Sequence, residues 1–196
     1  NQEGQQSGNG ALQIEGGNLK GGKISIDGSV SSQYLSALIL IAPSLPGGLE
    51  MELIGKIASI PYLKMTLALI SPFGAKYSFE NNTIKIEEGK YQAIEFTVEA
   101  DWSAASYWYQ IAALADEANI TLKGLKEVSL QGDSAIVEMF KNLGVQSTFE
   151  GTQVTLEKTN SATADSFDYD FSDCPDVAQT LAATITGLNI KGHFKG

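Results

Sequence analysis

The chain has 196 residues, 43% hydrophobic and 18% charged, enough apolar material for one or two packed domains and too much for a disordered tail. Its 13 basic residues are all lysines and face 23 acidic ones, giving a formal net charge of −10. That balance excludes ordinary non-specific nucleic-acid binding, which needs cations against phosphates, and it excludes an anion site made of guanidinium forks. The single cysteine, Cys174, leaves no internal disulfide, and with one histidine, His193, the chain lacks the Cys and His ligands of an ordinary zinc site. No apolar run reaches the ~18 residues of a membrane helix and no signal peptide opens the chain, so a soluble, cytoplasmic protein is expected.

Residues 1–12, rich in Gly, Gln and Asn, read as a flexible lead-in. A strand over 23–26 then feeds the polar turn Asp27-Gly28-Ser29 and a strongly apolar helix over 31–42. A strand over 50–54 follows. Next comes a helix opened by Ser59 and Pro61 and closed at Gly74, where a left-handed residue suits a helix end. A hairpin over 76–80 and 83–87 turns at Asn81-Asn82.

The pattern then recurs. Strand 94–99 precedes Asp101-Trp102-Ser103 and a helix over 103–117. Strand 120–123, a helix over 133–143 and a hairpin over 145–149 and 153–157 complete it. Asp27 and Asp101 are 74 residues apart; Ser59 and Ser129, and likewise Gly74 and Gly144, are 70 apart. Three landmarks in one order at nearly the same interval mark an internal repeat of β-α-β-α-β-β units. A third copy starts with strand 167–171, the turn Ser172-Asp173-Cys174-Pro175-Asp176, a helix to Thr186 and a strand over 189–195, and there it stops. The division expected is therefore a lead-in (1–12), one unit of a first domain (13–97), one unit of a second (98–158) and a truncated further unit (159–196), the whole a fragment of a longer protein.

Two roles fit the serines of Gly28-Ser29-Val30-Ser31-Ser32-Gln33. They cap a helix, a contribution of about 1 kcal/mol. Or they supplement the free N–H groups and positive dipole end of that helix as a cradle for phosphate, which is how an arginine-free chain can hold an anion. Ser59, at another helix start, is a donor of the same kind. Asp176 likewise reads either as a cap or as a carboxylate that accepts a proton from a substrate hydroxyl. Asp101 and Asp133 read as turn residues, Cys174 as packing, His193 as structural or exposed, and Trp102, Tyr107, Trp108 and Tyr109 as packing aromatics.

Taken in order, Asp27 through Tyr34, Ser59-Ile60-Pro61-Tyr62, Asp101 through Tyr107, Ser129-Leu130-Gln131-Gly132-Asp133 and Pro175-Asp176 resemble segments of the 5-enolpyruvylshikimate-3-phosphate synthase family (3-phosphoshikimate 1-carboxyvinyltransferases). The resemblance covers about residues 16–196. It implies an α/β (α+β) fold, the family's inside-out α/β barrel of β-α-β-α-β-β units, incomplete here, with the active site between two three-unit domains. It also implies a transferase of the shikimate pathway, in aromatic amino-acid biosynthesis. In the family reaction phosphoenolpyruvate is protonated at its methylene carbon, the 5-hydroxyl of shikimate 3-phosphate adds to the neighbouring carbon, and phosphate leaves. By motif, Ser31, Ser32 and Ser59 hold the shikimate phosphate, Gln33 contacts the substrates, and Asp176 binds ring hydroxyls and serves as base. No metal or organic cofactor is implied.

The family's lysine and arginine anchors for phosphoenolpyruvate lie in segments outside those matched, so this chain alone is expected to be inactive. Two alternatives stand beside this assignment. One is a fragment of the related UDP-N-acetylglucosamine enolpyruvyltransferase, whose characteristic cysteine Cys174 does not match. The other is a non-catalytic repeat module that packs against a partner. Open strand edges and apolar faces lead to the expectation of self-association.

Overall fold

A computed structural model describes Gln6–Ser7, Ala11–Leu12 and residues 15–57, 60–159 and 165–196. Of the lead-in, β1 (Gln6–Ser7) and β2 (Ala11–Leu12) pair as a short antiparallel ladder; the rest of it lies outside the described residues, as do 160–164 of the polar connector.

The first repeat comprises β3 (Gly22–Asp27), α1 (Ser32–Ile41), β4 (Leu49–Ile54), α2 (Ile60–Ile70), β5 (Tyr77–Glu80) and β6 (Thr83–Ile86). Its sheet runs β3-β4-β6-β5, with β3 parallel to β4 and the other pairs antiparallel. The apolar alternation of β4 turns Leu49, Met51 and Leu53 to the helices, while Glu50 and Glu52 face the lysines Lys23 and Lys85. Leu35 and Ile39 of α1, Leu63 and Leu67 of α2, and Ile84 of β6 complete the core. Burying each such side chain contributes roughly 1.5–3 kcal/mol. The hairpin turn holds Asn81 and Asn82 at φ 46° and 60°, the conformation a two-residue turn matching strand twist demands. Between α1 and β4 the chain passes tightly under β6. A Cβ on Gly48 (φ +67°) would lie 2.2 Å from the Ile86 carbonyl oxygen, so only glycine fits there.

The second repeat contains α3 (Trp102–Leu114), β7 (Asn119–Lys123), α4 (Ile136–Lys141), β8 (Val145–Glu150) and β9 (Gln153–Lys158). Its sheet, β7-β9-β8, is wholly antiparallel. The strand expected over 94–99 is not formed: residues 91–100 carry no secondary structure. Side-chain anchors hold this segment off the free edge of β7. Phe96 packs against Phe73 at a ring distance of 5.5 Å. Glu99 accepts from Trp102 Nε1 (2.9 Å), the Lys126 N–H (3.1 Å) and the Ser129 hydroxyl (3.0 Å). Only the Ala100 N–H reaches the strand end, at Gly124 O (2.8 Å). α3 stops at Leu114, short of Glu117, because Ala115 turns extended (ψ 156°). The helix expected over 133–143 begins as a 3-10 turn, Gly132–Ala135, before α4.

The last segment is a parallel crossover. β10 (Ser166–Asp170) leads through 3-10 turns at Phe171–Asp173 and Pro175–Val177 into α5 (Ala178–Gly187) and back to β11 (Lys191–Lys195) beside it. β11 starts two residues later than expected. Asn189 adopts φ 56° and the Ile190 N–H bonds Ile185 O at 2.8 Å, a left-handed helix ending that uses those residues. α5 packs on α3, where the buried hydroxyls of Ser106 and Thr180 meet at 2.9 Å. Trp102, Tyr109, Phe140, Leu156, Val177 and Leu181 share one core that joins this segment to the second repeat. The architecture is mixed α/β with separate sheets, and no closed barrel is present among the described residues.

Candidate functional site

α1 starts where its capping residues direct. Ser31 is the N-cap, with its hydroxyl accepting the Gln33 N–H at 3.3 Å. Ser32 is half-buried and Gln33 exposed. No acidic side chain sits in this first turn, so its positive dipole end is not already answered from within the helix.

The turn before it is closed by hydrogen bonds within it. Asp27 Oδ1 accepts both the Ser29 hydroxyl (2.7 Å) and the Ser29 N–H (2.9 Å). The backbone bond and then the hydroxyl hold that carboxyl below its usual range. The same turn recurs at Asp170, whose Oδ1 accepts from Ser172 Oγ (2.6 Å) and N–H (2.9 Å). Asp101 and Ser103 share the spacing but divide the work: Asp101 caps α3 through the Ala104 N–H (3.1 Å), and Ser103 donates to Asp133.

A cleft of about 580 Å³ joins two of these turns. Ser29, Lys56 and Ile57 line one side; Ser172, Asp173, Pro175 and Lys195 line the other. Asp176 adjoins Pro175 in the 3-10 turn ahead of α5. The residues at the cap positions there, Cys174 and Val177, make no side-chain capping bond. The Asp176 carboxylate instead accepts the Tyr62 hydroxyl at 3.0 Å, a bond from α2 across to the third segment. Burial, then the charges of Asp133 and Asp176, push the Tyr62 phenol up, so it remains a donor. The start of α1 and the Asp176 turn thus border one cleft through Ser29 and Pro175; Ser31, Ser32 and Gln33 are not themselves on its wall. Ser59 lies outside the described residues.

Lys56 and Lys195, which line the cleft, and Tyr62, which bonds Asp176 beside it, are groups that residue-type reasoning did not single out. Tyr62 had one available signal, its place directly after the Ser59-Ile60-Pro61 turn. Cys174 is buried, and burial pushes its thiol up to about 11, so it is a packing group and not a nucleophile. Trp102 and Tyr109 are core residues, whereas Tyr107 and Trp108 are half exposed on the outer face of α3, against the expectation that all four pack. Among the described residues no group of three His, Cys, Asp or Glu side chains is arranged to hold a metal.

Asp133 is not the simple turn residue expected. It is buried, and desolvation raises its carboxyl above the ordinary 3.8, against the lowering effect of the Ser103 hydrogen bond. The folded chain therefore keeps this proton after the unfolded chain has lost it. Stability contributed by Asp133 is full below 3.8 and falls as pH rises through the folded value. Asp133→Asn removes that dependence. Urea titrations of both proteins from acid to neutral pH should show the stability of the original falling relative to the variant. A flat difference would mean the carboxyl is not perturbed.

The family model for EPSP synthase (3-phosphoshikimate 1-carboxyvinyltransferase) matches residues 4–192 of this chain. The chain belongs to the EPSP synthase family. It is 47% identical over 186 residues to the 3-phosphoshikimate 1-carboxyvinyltransferase of Bacteroides fragilis (strain YCH46), covering 94% of this chain and 45% of that one. The protein of the same name from Methanosphaera stadtmanae is 34% identical over 184 residues, covering 91% and 42%. A solved EPSP synthase from Acinetobacter baumannii superposes with a TM-score of 0.53 at 19% identity, over 80% of this chain and 37% of that one, a likeness of fold. The chain spans under half the length of the EPSP synthases it matches. No helix among the described residues is long and apolar enough to cross a membrane.

Proposed function

We propose that this chain is the central part of an enzyme that transfers enolpyruvyl from phosphoenolpyruvate to the 5-hydroxyl of shikimate 3-phosphate in the cytoplasm, with its first repeat and the remainder on opposite sides of the substrate cleft. Ser31, Ser32 and Ser59 hold the shikimate phosphate, Gln33 reaches both substrates, and Asp176 binds the ring hydroxyls and takes the proton of the attacking one. The observation that supports this reading is the open, acid-free start of α1 beside a cleft whose far side includes Pro175, the neighbour of Asp176. Both substrates are anions, so backbone N–H groups, hydroxyls and Lys56 are the complementary donors on this chain. The Tyr62 hydroxyl ties the Asp176 carboxylate to α2.

Titration of the chain with shikimate 3-phosphate, followed by amide NMR, tests the cradle. Shifts are expected at residues 29–34 and around Asp176. Ser32→Ala should weaken binding by roughly tenfold or more, the loss of one hydrogen bond to a charged group. Unchanged binding in that variant would remove Ser32 from the site, and absence of any response would favour a packing module.

Self-association of the isolated chain is part of the same proposal. Tyr107, Trp108, Ile111 and Leu114 form an exposed apolar stripe along α3. Sedimentation velocity should show concentration-dependent dimers or larger species, diminished by Trp108→Ser.

A further inference from the structure

The loop over 129–134 belongs to the second repeat, and hydrogen bonds hold it there from several sides. The Ser129 hydroxyl accepts the Gln131 N–H at 3.0 Å. Gln131 Oε1 accepts the Trp102 N–H (2.9 Å), and its Nε2 donates to the Ala100 carbonyl (2.8 Å). Asp133 accepts from Ser103, and the Ser134 hydroxyl donates to the Gln131 carbonyl at 2.8 Å. Ala100, Trp102 and Ser103 flank the start of α3, so the loop is fastened to that helix end.

Gly132, in the middle of this loop, meets both other parts of the chain. A Cβ built on it would lie 3.3 Å from Pro61 Cβ, in the first turn of α2, and 2.5 Å from the carbonyl oxygen of Asp173, in the last segment. Ordinary contact begins near 3.4 Å, so a side chain fits only if one of the two turns moves. Tyr62 directly follows Pro61, and Asp176 lies just beyond Asp173. Their hydrogen bond, from the Tyr62 hydroxyl to the Asp176 carboxylate at 3.0 Å, joins the first repeat to the last segment beside the same point. The turn over 173–177 is the side that yields. Among the described residues its other hydrogen bonds stay within its own segment: the Cys174 N–H to Phe171 O (3.0 Å), the Val177 N–H to Cys174 O (3.4 Å), and the Gln179 amide to the Asp176 carbonyl.

We propose that Gly132 is a positioning residue for Asp176: its lack of a side chain lets the turn over 173–177 close against the second repeat, which brings the Asp176 carboxylate within reach of the Tyr62 hydroxyl. This rests on the reading of Asp176 as the group that binds the ring hydroxyls and takes the proton; Gly132 acts only through it. A methyl group at 132 drives the Asp173 carbonyl outward and carries Asp176 with it, and a misplacement of ~1 Å near the chemistry costs about 10²-fold in rate.

NMR signals of the tyrosine Cζ and aspartate Cγ carbons, read at neutral pH without ligand, test the placement. Tyr62→Phe removes the bond directly, identifies the Tyr62 signal and should move that of Asp176. Gly132→Ala should move the Tyr62 and Asp176 signals while those of Tyr34 and Asp27, in the first repeat, stay in place. Added to Tyr62→Phe, it should move the Asp176 signal less than it does alone. Shikimate 3-phosphate should bind Gly132→Ala about tenfold more weakly than the original chain, the loss of one hydrogen bond to a charged group, and Gly132→Ala should add nothing to the loss in Asp176→Asn. Unmoved Tyr62 and Asp176 signals in Gly132→Ala, or an undiminished further loss of affinity in the Asp176→Asn background, would overturn the proposal. Collapse of the second core in Gly132→Ala, read at Met139, would overturn it too, by making Gly132 an ordinary structural glycine. The carbon signals are read without ligand, so failure here and failure of the substrate assignment are separable.

Discussion

Trp102→Ala is expected to unfold the second core while the first stays intact. Trp102 is fully buried, with its ring 6.5 Å from Tyr109 and 6.3 Å from Phe149. Its indole N–H donates to Glu99 and its backbone N–H to Gln131 Oε1, each at 2.9 Å. Truncation removes a large apolar group, leaves a cavity and takes one donor from Glu99. Losses of this kind run to about 3–5 kcal/mol, a large share of the ~5–15 kcal/mol that stabilises an ordinary domain. No residue of the first core touches this hole, because Leu35, Met51, Leu63 and Ile84 belong to a separate cluster. Methionine methyl signals give the readout. Met139 reports on the second core and Met51 on the first. In urea the Met139 signal of the variant should shift to its unfolded position well before that of Met51. Simultaneous loss of both would show one cooperative unit. Trp102→Phe, which keeps most of the apolar volume, should cost distinctly less.

That separation explains why so much of the architecture was legible in the sequence. Each repeat buries its own helices on its own sheet, so periodicity within about 70 residues carries the pattern, and the landmarks Ser31, Asn81-Asn82 and Gly74 act through local backbone chemistry. What the sequence hid depends on contacts between repeats. Residues 94–99 have the apolar alternation of a strand, yet Phe96 and Glu99 are claimed by Phe73 and by the 126–129 loop. Tyr62 looks like one more apolar position of α2; only the crossing to Asp176 reveals it as a donor. Asp133 reads as a turn residue, and nothing in its sequence neighbourhood signals that the fold buries it. The Asp-x-Ser spacing at Asp27, Asp101 and Asp170 was present in the sequence all along. Its meaning was not, because two of the three pairs close on themselves and the third is opened by Asp133.

The chain given both phosphoenolpyruvate and shikimate 3-phosphate is expected to release no phosphate above a blank, so an acceleration of ~10⁶-fold or more is missing. The argument is electrostatic. Each substrate carries a phosphate and a carboxylate, and charge moves between them in the reaction. Among the described residues the cleft offers the lysines Lys56 and Lys195, both of which also act on Asp170, and the chain has no arginine. Hydroxyls and a helix dipole can position one phosphate, but they cannot offset two multiply charged anions held together. The remaining cations must come from the more than half of the EPSP synthase length that this chain does not span. Supplying the unmatched segments of the Bacteroides fragilis relative as separate polypeptides should therefore restore phosphate release. In that reconstituted assembly Asp176→Asn should lower turnover by about 10²–10⁴-fold, the usual worth of a positioned general base, with a smaller change in KM. Turnover by the chain alone would refute the electrostatic argument. Full turnover by the Asp176→Asn assembly would leave the argument standing and remove Asp176 from the chemistry.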